Sequence, residues 1–194
     1  MQSLPLFPLN LVLLPYEYLP LHIFEQRYKI MVKDSIEKDL PFGIILSEGD
    51  GVYSKGCCVK VSEVYREYQN GEYDILVKGV ERFKVFKTKL DGDTVIGEIE
   101  YIPLEKDINS VLVDKLQNSY LKILLNYGIN TDLEVHMEKK ISYEFLQSFQ
   151  MPLSIKKDLI SIDSENKRLN FINDIFTDIL DKGIKPAENL IPEA

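Results

Sequence analysis

No stretch of this chain is both long and apolar enough to cross a bilayer, and none is basic enough to hold a nucleic acid. The opening run MQSLPLFPLNLVLLPYEYLPLHIF has no charged side chain before Glu17, yet it lacks the positive start of a signal peptide. Pro5, Pro8, Pro15 and Pro20 interrupt any helix that would insert, so the run reads as a strand-rich part of a folded, soluble domain. The formal net charge is -8, spread over both halves with no basic tail. That excludes phosphate neutralisation as the main business of the surface, and with it DNA, RNA and anionic membranes as partners. Cysteine is scarce: Cys57 and Cys58 are adjacent, and neighbours form neither an unstrained disulfide nor a four-ligand metal site. Reduced thiols in a cytoplasmic protein are expected. His22 and His136 are the only histidines, and neither has a second His or Cys at ligand spacing, so both are expected to be structural, with no metal and no cofactor.

What is present divides into two periods. Residues 4–9, 11–14 and 42–46 are short apolar runs, with prolines confining the first two to strand ends or edges. Residues 59–68 and 73–80 flank an Asn70–Gly71 turn, and residues 82–90 and 94–101 flank Asp91-Gly-Asp93, giving two consecutive hairpins of an antiparallel sheet curled into a small barrel. One helix interrupts, from Glu25 to about Lys38, with Tyr28, Met31, Val32 and Ile36 at helical spacing. Pro20 keeps the preceding segment extended, and Glu25 suits the positive end of the helix dipole. After Pro103 the period becomes helical: residues 109–127, then 132–149, a short helix capped by Ser154 and running through Ile160, and a longer one over 163–182. The fold class expected is α+β, with a β-rich part over 1–104, a helical bundle over 105–183 and a loose tail over 184–194.

Several catalytic patterns begin and fail. Gly51 to Gly56 has the spacing of a phosphate loop, but Cys57 and Cys58 stand where Lys and Ser or Thr are needed, and a flexible loop before a strand is expected. Ser35-Ile-Glu-Lys38 and Ser154-Ile-Lys-Lys157 match the spacing of a serine beside a lysine base without any companion motif. Asp91-Gly-Asp93 opens like a calcium loop, but Val95 takes the third acidic place. Glu63, Glu67, Glu72, Asp74 and Glu81 read as the solvated face of hairpin strands rather than as paired catalytic carboxylates. No catalytic residue is assigned.

The stretch LPLFPLNLVLLPYEYLPLHIFEQRYKIMV, residues 4–32, resembles the opening of the amino-terminal, substrate-binding domain of Lon proteases. Phe42-Gly-Ile44, the strand opened by Gly56 with Cys57 in place of the usual Thr, and GEYDILVKGVERF with its Gly79-Val-Glu-Arg82-Phe83 signature continue the likeness. Residues 145–153, Lys156-Lys-Asp-Leu-Ile and Arg168-Leu169 resemble the family's helical part more loosely. The resemblance implies a PUA-like curled sheet joined to helices, in a free-standing domain without the phosphate loop of the ATPase or the Ser-Lys dyad of the peptidase. It therefore implies a non-catalytic module that recognises unfolded or flexible protein segments, as an adaptor or regulator of proteolysis with a protease as a further partner.

Within that reading Tyr16, Tyr18 and Phe24 are the candidate binding residues, because Pro15-Tyr-Glu-Tyr-Leu-Pro20 offers a rigid aromatic segment. Pro20, His22, Glu25, Arg27, Tyr28, Gly79 and Arg82 are expected to serve the fold: Glu25 and Arg27 at the strand-to-helix junction, Gly79 and Arg82 at the hairpin exit. Two other classes stay open: a small-molecule-binding or hydrolytic protein using a barrel cleft, and a domain that self-associates into a homodimer.

Overall fold

The prolines of the first strand sit where the backbone can spare a donor. In the computed structural model, which describes residues 1–105, 107–128 and 133–183, strand β1 (Gln2–Leu9) runs from one neighbour to another. Its first half pairs antiparallel with β6 (Thr94–Ile102), placing Pro5 opposite Ile96. Its second half pairs parallel with β3 (Phe42–Glu48), placing Pro8 opposite Ile45. Only Leu6 has a partner on both sides, so each proline lies where the strand is locally an edge.

The remaining elements are β2 (Tyr18–Ile23), α1 (Gln26–Lys38), β4 (Gly51–Glu67) and β5 (Tyr73–Asp91), then α2 (Ser110–Asn126), α3 (Leu133–Met137), a 3-10 turn (Ser142–Leu146), α4 (Leu153–Ser161) and α5 (Glu165–Lys182). The sheet order is β2-β5-β4-β3-β1-β6, and a further β5–β6 pairing joins β1, β3, β4, β5 and β6 into a ring with β2 outside it. The β1–β3 pair is parallel, which departs from an all-antiparallel sheet. The chain reaches β3 by way of α1, and a helical crossover is what a parallel pair requires.

Three local expectations change for physical reasons. Residues 73–80 and 82–90 form one strand, β5, with a bulge at Val80 where the register against β4 skips a residue. Residues 51–56 form no loop but belong to β4. A Cβ on Gly56 would lie 2.5 Å from Phe83 Cζ and 2.7 Å from the Ile44 carbonyl oxygen, so this glycine is the floor under a ring rather than part of an anion cradle. Residues 11–14 pair with no strand; Val12, Leu13 and Leu14 are buried in a turn instead.

The chain divides into two compact units, residues 1–103 with 156–161, and residues 104–155 with 162–194. The first holds two cores, one on each face of the strands. Leu4, Leu6, Ile45, Cys58, Phe83 and Ile99 fill one, while Phe7, Tyr28, Val32, Phe42, Cys57, Val59 and Ile75 form the other beneath α1. Successive residues of a strand point to opposite faces, so the adjacent cysteines enter different cores, and burial raises both thiol pKa values. Residues 156–161 are tied to the strands by Lys156 to Glu17 at 2.8 Å, by Lys55 Nζ donating to the Ser161 carbonyl at 2.8 Å, and by Arg82 Nη1 donating to the Ile160 carbonyl at 3.0 Å.

In the second unit α2 and α5 pack through Leu116, Tyr120, Ile123, Leu169, Ile172 and Phe176. The helix expected over 132–149, whose first residue lies outside the described ones, is two pieces, α3 and the 3-10 turn. The Glu144 carboxylate accepts the N–H groups of Lys140 and Ile141 at 2.8 and 2.9 Å and so starts a new turn. Ser154 is exposed inside α4 rather than capping it, because Pro152, with φ already near the helical value, lets the helix begin at Leu153. The tail expected over 184–194 lies outside the described residues.

Candidate binding face on the outer strand

Strand β2 is the outermost strand of the sheet, and its alternation decides what it shows. Leu19, Leu21 and Ile23 turn inward toward the core under α1, leaving Tyr18, Pro20 and His22 exposed on the other side. Phe24 follows on that side: it is 59% exposed and its ring stacks on His22 with centroids 5.9 Å apart. Tyr18, 49% exposed, lies about 20 Å away at the far end, at roughly 3.3 Å per residue. The two candidates thus mark the ends of a strip rather than the walls of one pocket.

Tyr16 is held apart from them. It is half-buried in the turn before β2, has φ of 68°, and donates its N–H to the Gly79 carbonyl at 2.9 Å. Gly79 in turn donates to the Glu17 carbonyl at 2.8 Å. A Cβ there would stand 2.4 Å from the Leu14 carbonyl oxygen, so only glycine lets the turn approach the strand. Gly79→Ala is expected to lower unfolding free energy by about 1–3 kcal/mol, read from a urea melt, because Leu14 must move and take Tyr16 and Glu17 with it.

Register supplies the rest of the face. Tyr18, Pro20 and His22 oppose Lys78, Leu76 and Asp74 of β5. At one end the Lys78 ammonium lies 5.2 Å from the Tyr18 ring centroid, and Lys60, opposite Lys78 on β4, pairs with Asp39 at 2.6 Å. At the other, Asp74 is clamped from both sides: His22 Nδ1 lies 2.7 Å from Oδ1, and the Tyr68 hydroxyl donates to Oδ2 at 2.7 Å. Tyr68 meets the His22 ring edge-on at 6.0 Å and carries Arg66 over its own ring at 4.5 Å. Glu72 lies 3.8 Å from both His22 and Lys29. His22, expected to be structural, is thus half-exposed in the middle of the strip, bonded to a carboxylate.

The Tyr68 hydroxyl, then His22, hold the Asp74 pKa below its ordinary value. The carboxylate is the favoured form, so the clamp persists through neutral pH and opens as pH falls below the usual aspartate value of about 3.9. Titration followed by the Tyr68 ring resonances should show a transition there, absent in Asp74→Asn.

The other candidates sit elsewhere. Glu25 immediately precedes α1 without capping it; Arg27 grips its carboxylate at 2.7 Å and lies 4.6 Å over the Tyr28 ring, which stacks on Phe7. Arg82 is buried and bonded to Ile160. A hydrolytic reading needs a lysine of depressed pKa beside a serine. Lys38 and Lys157 instead donate to the Asp34 and Glu48 carboxylates, which raises both pKa values, while burial lowers Lys139, which donates to the Glu144 carbonyl and the Gln147 side chain rather than to a serine. The aromatic, proline-rich segment points to Tyr16, Tyr18 and Phe24; Asp74 reads from the sequence only as part of a solvated strand face, and nothing local marks Tyr68 or Lys78. The alternation of residues 73–80 across the Asn70–Gly71 turn was the signal that places them.

Among the described residues no group of three or more His, Cys, Asp or Glu is placed to hold a metal, and no helix is long and apolar enough to cross a membrane. The geometry is that of a mixed α+β chain with a row of exposed side chains along its outer strand. The chain belongs to the family of the ATP-dependent protease La (LON) substrate-binding domain, whose model matches residues 3–177. Solved structures similar to it include two N-terminal domains of Lon proteins. A Lon N-terminal domain protein from Xanthomonas campestris has a TM-score of 0.69 and 22% identity, over 89% of this chain and 97% of that one. The N-terminal domain of a Mycobacterium avium complex Lon protease has a TM-score of 0.73 and 15% identity, over 91% and 99%. At these identities the likeness is one of fold. Protein cereblon from Xenopus tropicalis is 27% identical over 109 residues, 53% of this chain but only 24% of cereblon.

Proposed function

We propose that this chain recognises unfolded or flexible segments of other proteins through the outer face of β2, without chemistry of its own, and serves in the cytoplasm as an adaptor or regulator of proteolysis. The observation that carries the reading is the exposed strip from Tyr18 to Phe24 on the outermost strand of a domain in a substrate-binding family. An aromatic side chain at each end, with proline and histidine between, supplies rigid apolar contact at low entropic cost, as binding surfaces favour. We read the ring of strands as the PUA-like part of the domain, ending near residue 104, and the helices over 105–183 as its bundle. Tyr16, Gly79 and Arg82 then act indirectly, by fixing the turn and strand that present the strip.

The test is a titration with a defined unfolded chain, reduced and carboxymethylated lactalbumin, followed by fluorescence anisotropy. Tyr18→Ala/Phe24→Ala is expected to weaken binding roughly tenfold or more while the urea melt stays in place, because both side chains are exposed. Equal affinity in the double variant excludes the strip as the contact surface.

A further inference from the structure

Resting on that reading, we infer that the free edge of β2 takes an extended peptide as an added antiparallel strand, with basic, apolar and acidic side chains at alternate positions in that order.

The argument starts from register. Gly79 donates to the Glu17 carbonyl, which marks the 17–79 position as hydrogen-bonded. Along an antiparallel pair bonded and non-bonded positions alternate, so Leu19, Leu21 and Ile23 are bonded to Val77, Ile75 and Tyr73, while Tyr18, Pro20 and His22 turn their backbone groups away from β5. The proline agrees with this: it has no N–H and is tolerated in a strand only where its nitrogen faces off the ladder. The open edge therefore offers the N–H groups of Tyr18 and His22 and the carbonyls of Tyr18, Pro20 and His22. None of the residues from Tyr18 to His22 is buried.

Pro20 also selects the occupant. A second copy pairing symmetrically about this position would set Pro20 against Pro20, with no donor on either side, and proline on an edge is a common guard against such pairing. A foreign peptide carrying its own N–H at that position still donates to the Pro20 carbonyl. Charge sets its polarity. Lys78 stands beside Tyr18, and Asp74 and Glu72 beside His22, while Lys29 and Arg66 at that end are engaged by Glu72 and the Tyr68 ring. A strand antiparallel to β2 thus meets His22 with its first, basic side chain, Pro20 and Leu76 with an apolar one, and Tyr18 and Lys78 with an acidic one. The intervening side chains continue the inward side of Leu19 and Leu21, which favours apolar residues there.

The probe is a labelled, end-blocked pentapeptide, Lys-Val-Phe-Val-Glu, with Kd read by anisotropy. Pro20→Ala restores the missing donor and is expected to tighten binding about fivefold, the worth of one hydrogen bond. N-methylation of the central Phe, whose N–H faces Pro20, is expected to weaken it about tenfold, whereas N-methylation of either Val, facing away, leaves Kd unchanged. The reversed order Glu-Val-Phe-Val-Lys is expected to bind more weakly. If unfolded lactalbumin needs Tyr18 and Phe24 but Pro20→Ala and Phe N-methylation leave the pentapeptide's Kd unchanged, strand addition is wrong while the recognition face stands. If neither chain binds, both fall. A wild-type protein that sediments as a dimer, and as a monomer after Tyr18→Ala, overturns the inference in favour of a second copy.

Discussion

Arg168→Ala is expected to lower unfolding free energy by about 3–5 kcal/mol, the largest loss among single substitutions in the helical unit. Arg168 and Glu165 are both fully buried one turn apart on α5 and pair directly. The guanidinium also donates from Nε to the Ser142 hydroxyl at 3.2 Å and from Nη1 to the carbonyls of Ile162 and Asp163, and it lies 4.8 Å from the Tyr143 ring centroid. Glu165 accepts the Ser142 N–H as well. Removing the arginine strands a carboxylate in a medium that cannot solvate it, and three segments lose a shared partner. Because desolvation offsets much of the attraction within such a pair, Arg168→Met/Glu165→Leu should fall well short of the single loss. Urea melts of the single and double variants, followed by far-ultraviolet circular dichroism, check both; equal losses would mean that the charges are not what the core depends on.

Phe83→Ala is expected to cost about 3–5 kcal/mol in the strand unit, the range for truncating a buried phenylalanine. The ring is fully buried in the core that Leu4, Leu6, Ile45 and Ile99 share, and its tip reaches into the space left by two glycines. A Cβ on Gly43 would meet its tip at 2.7 Å and one on Gly56 at 2.5 Å. The slot and the ring are therefore one feature, and Gly56→Ala should be harmful with Phe83 present and less so without it. The double variant should be more stable than the sum of the single losses, although the Ile44 carbonyl, 2.7 Å from the added Cβ, keeps part of the cost. Strict additivity, measured by thermal unfolding of all four proteins, would show that the ring does not need the glycines.

These residues show what the sequence disclosed and what it hid. The Gly79 to Phe83 signature was visible as a motif. That Gly79 abuts the Leu14 carbonyl and Arg82 reaches Ile160 depends on segments more than sixty residues away along the chain, which local pattern does not encode. Alternation disclosed the hairpins, because the Asn70–Gly71 turn fixes its own register. It did not disclose that Val80 is a bulge in one long strand, since a skipped partner leaves both flanking patterns intact. The helix expected over 132–149 failed for a related reason: its apolar spacing suits a helix, but Glu144 competes for the backbone N–H groups that would have continued one. On the candidate face, aromatic composition marked Tyr18 and Phe24, while the histidine between them gained its importance only from Asp74, 52 residues further on.

Amide chemical-shift mapping with unfolded lactalbumin tests the binding face most directly. The expected result is a contiguous set of perturbed amides over residues 18–24 of β2 and residues 74–78 of β5, lost in Tyr18→Ala/Phe24→Ala. Perturbations confined to α2 and α5, or none at saturating ligand, would place recognition elsewhere or remove it from this chain.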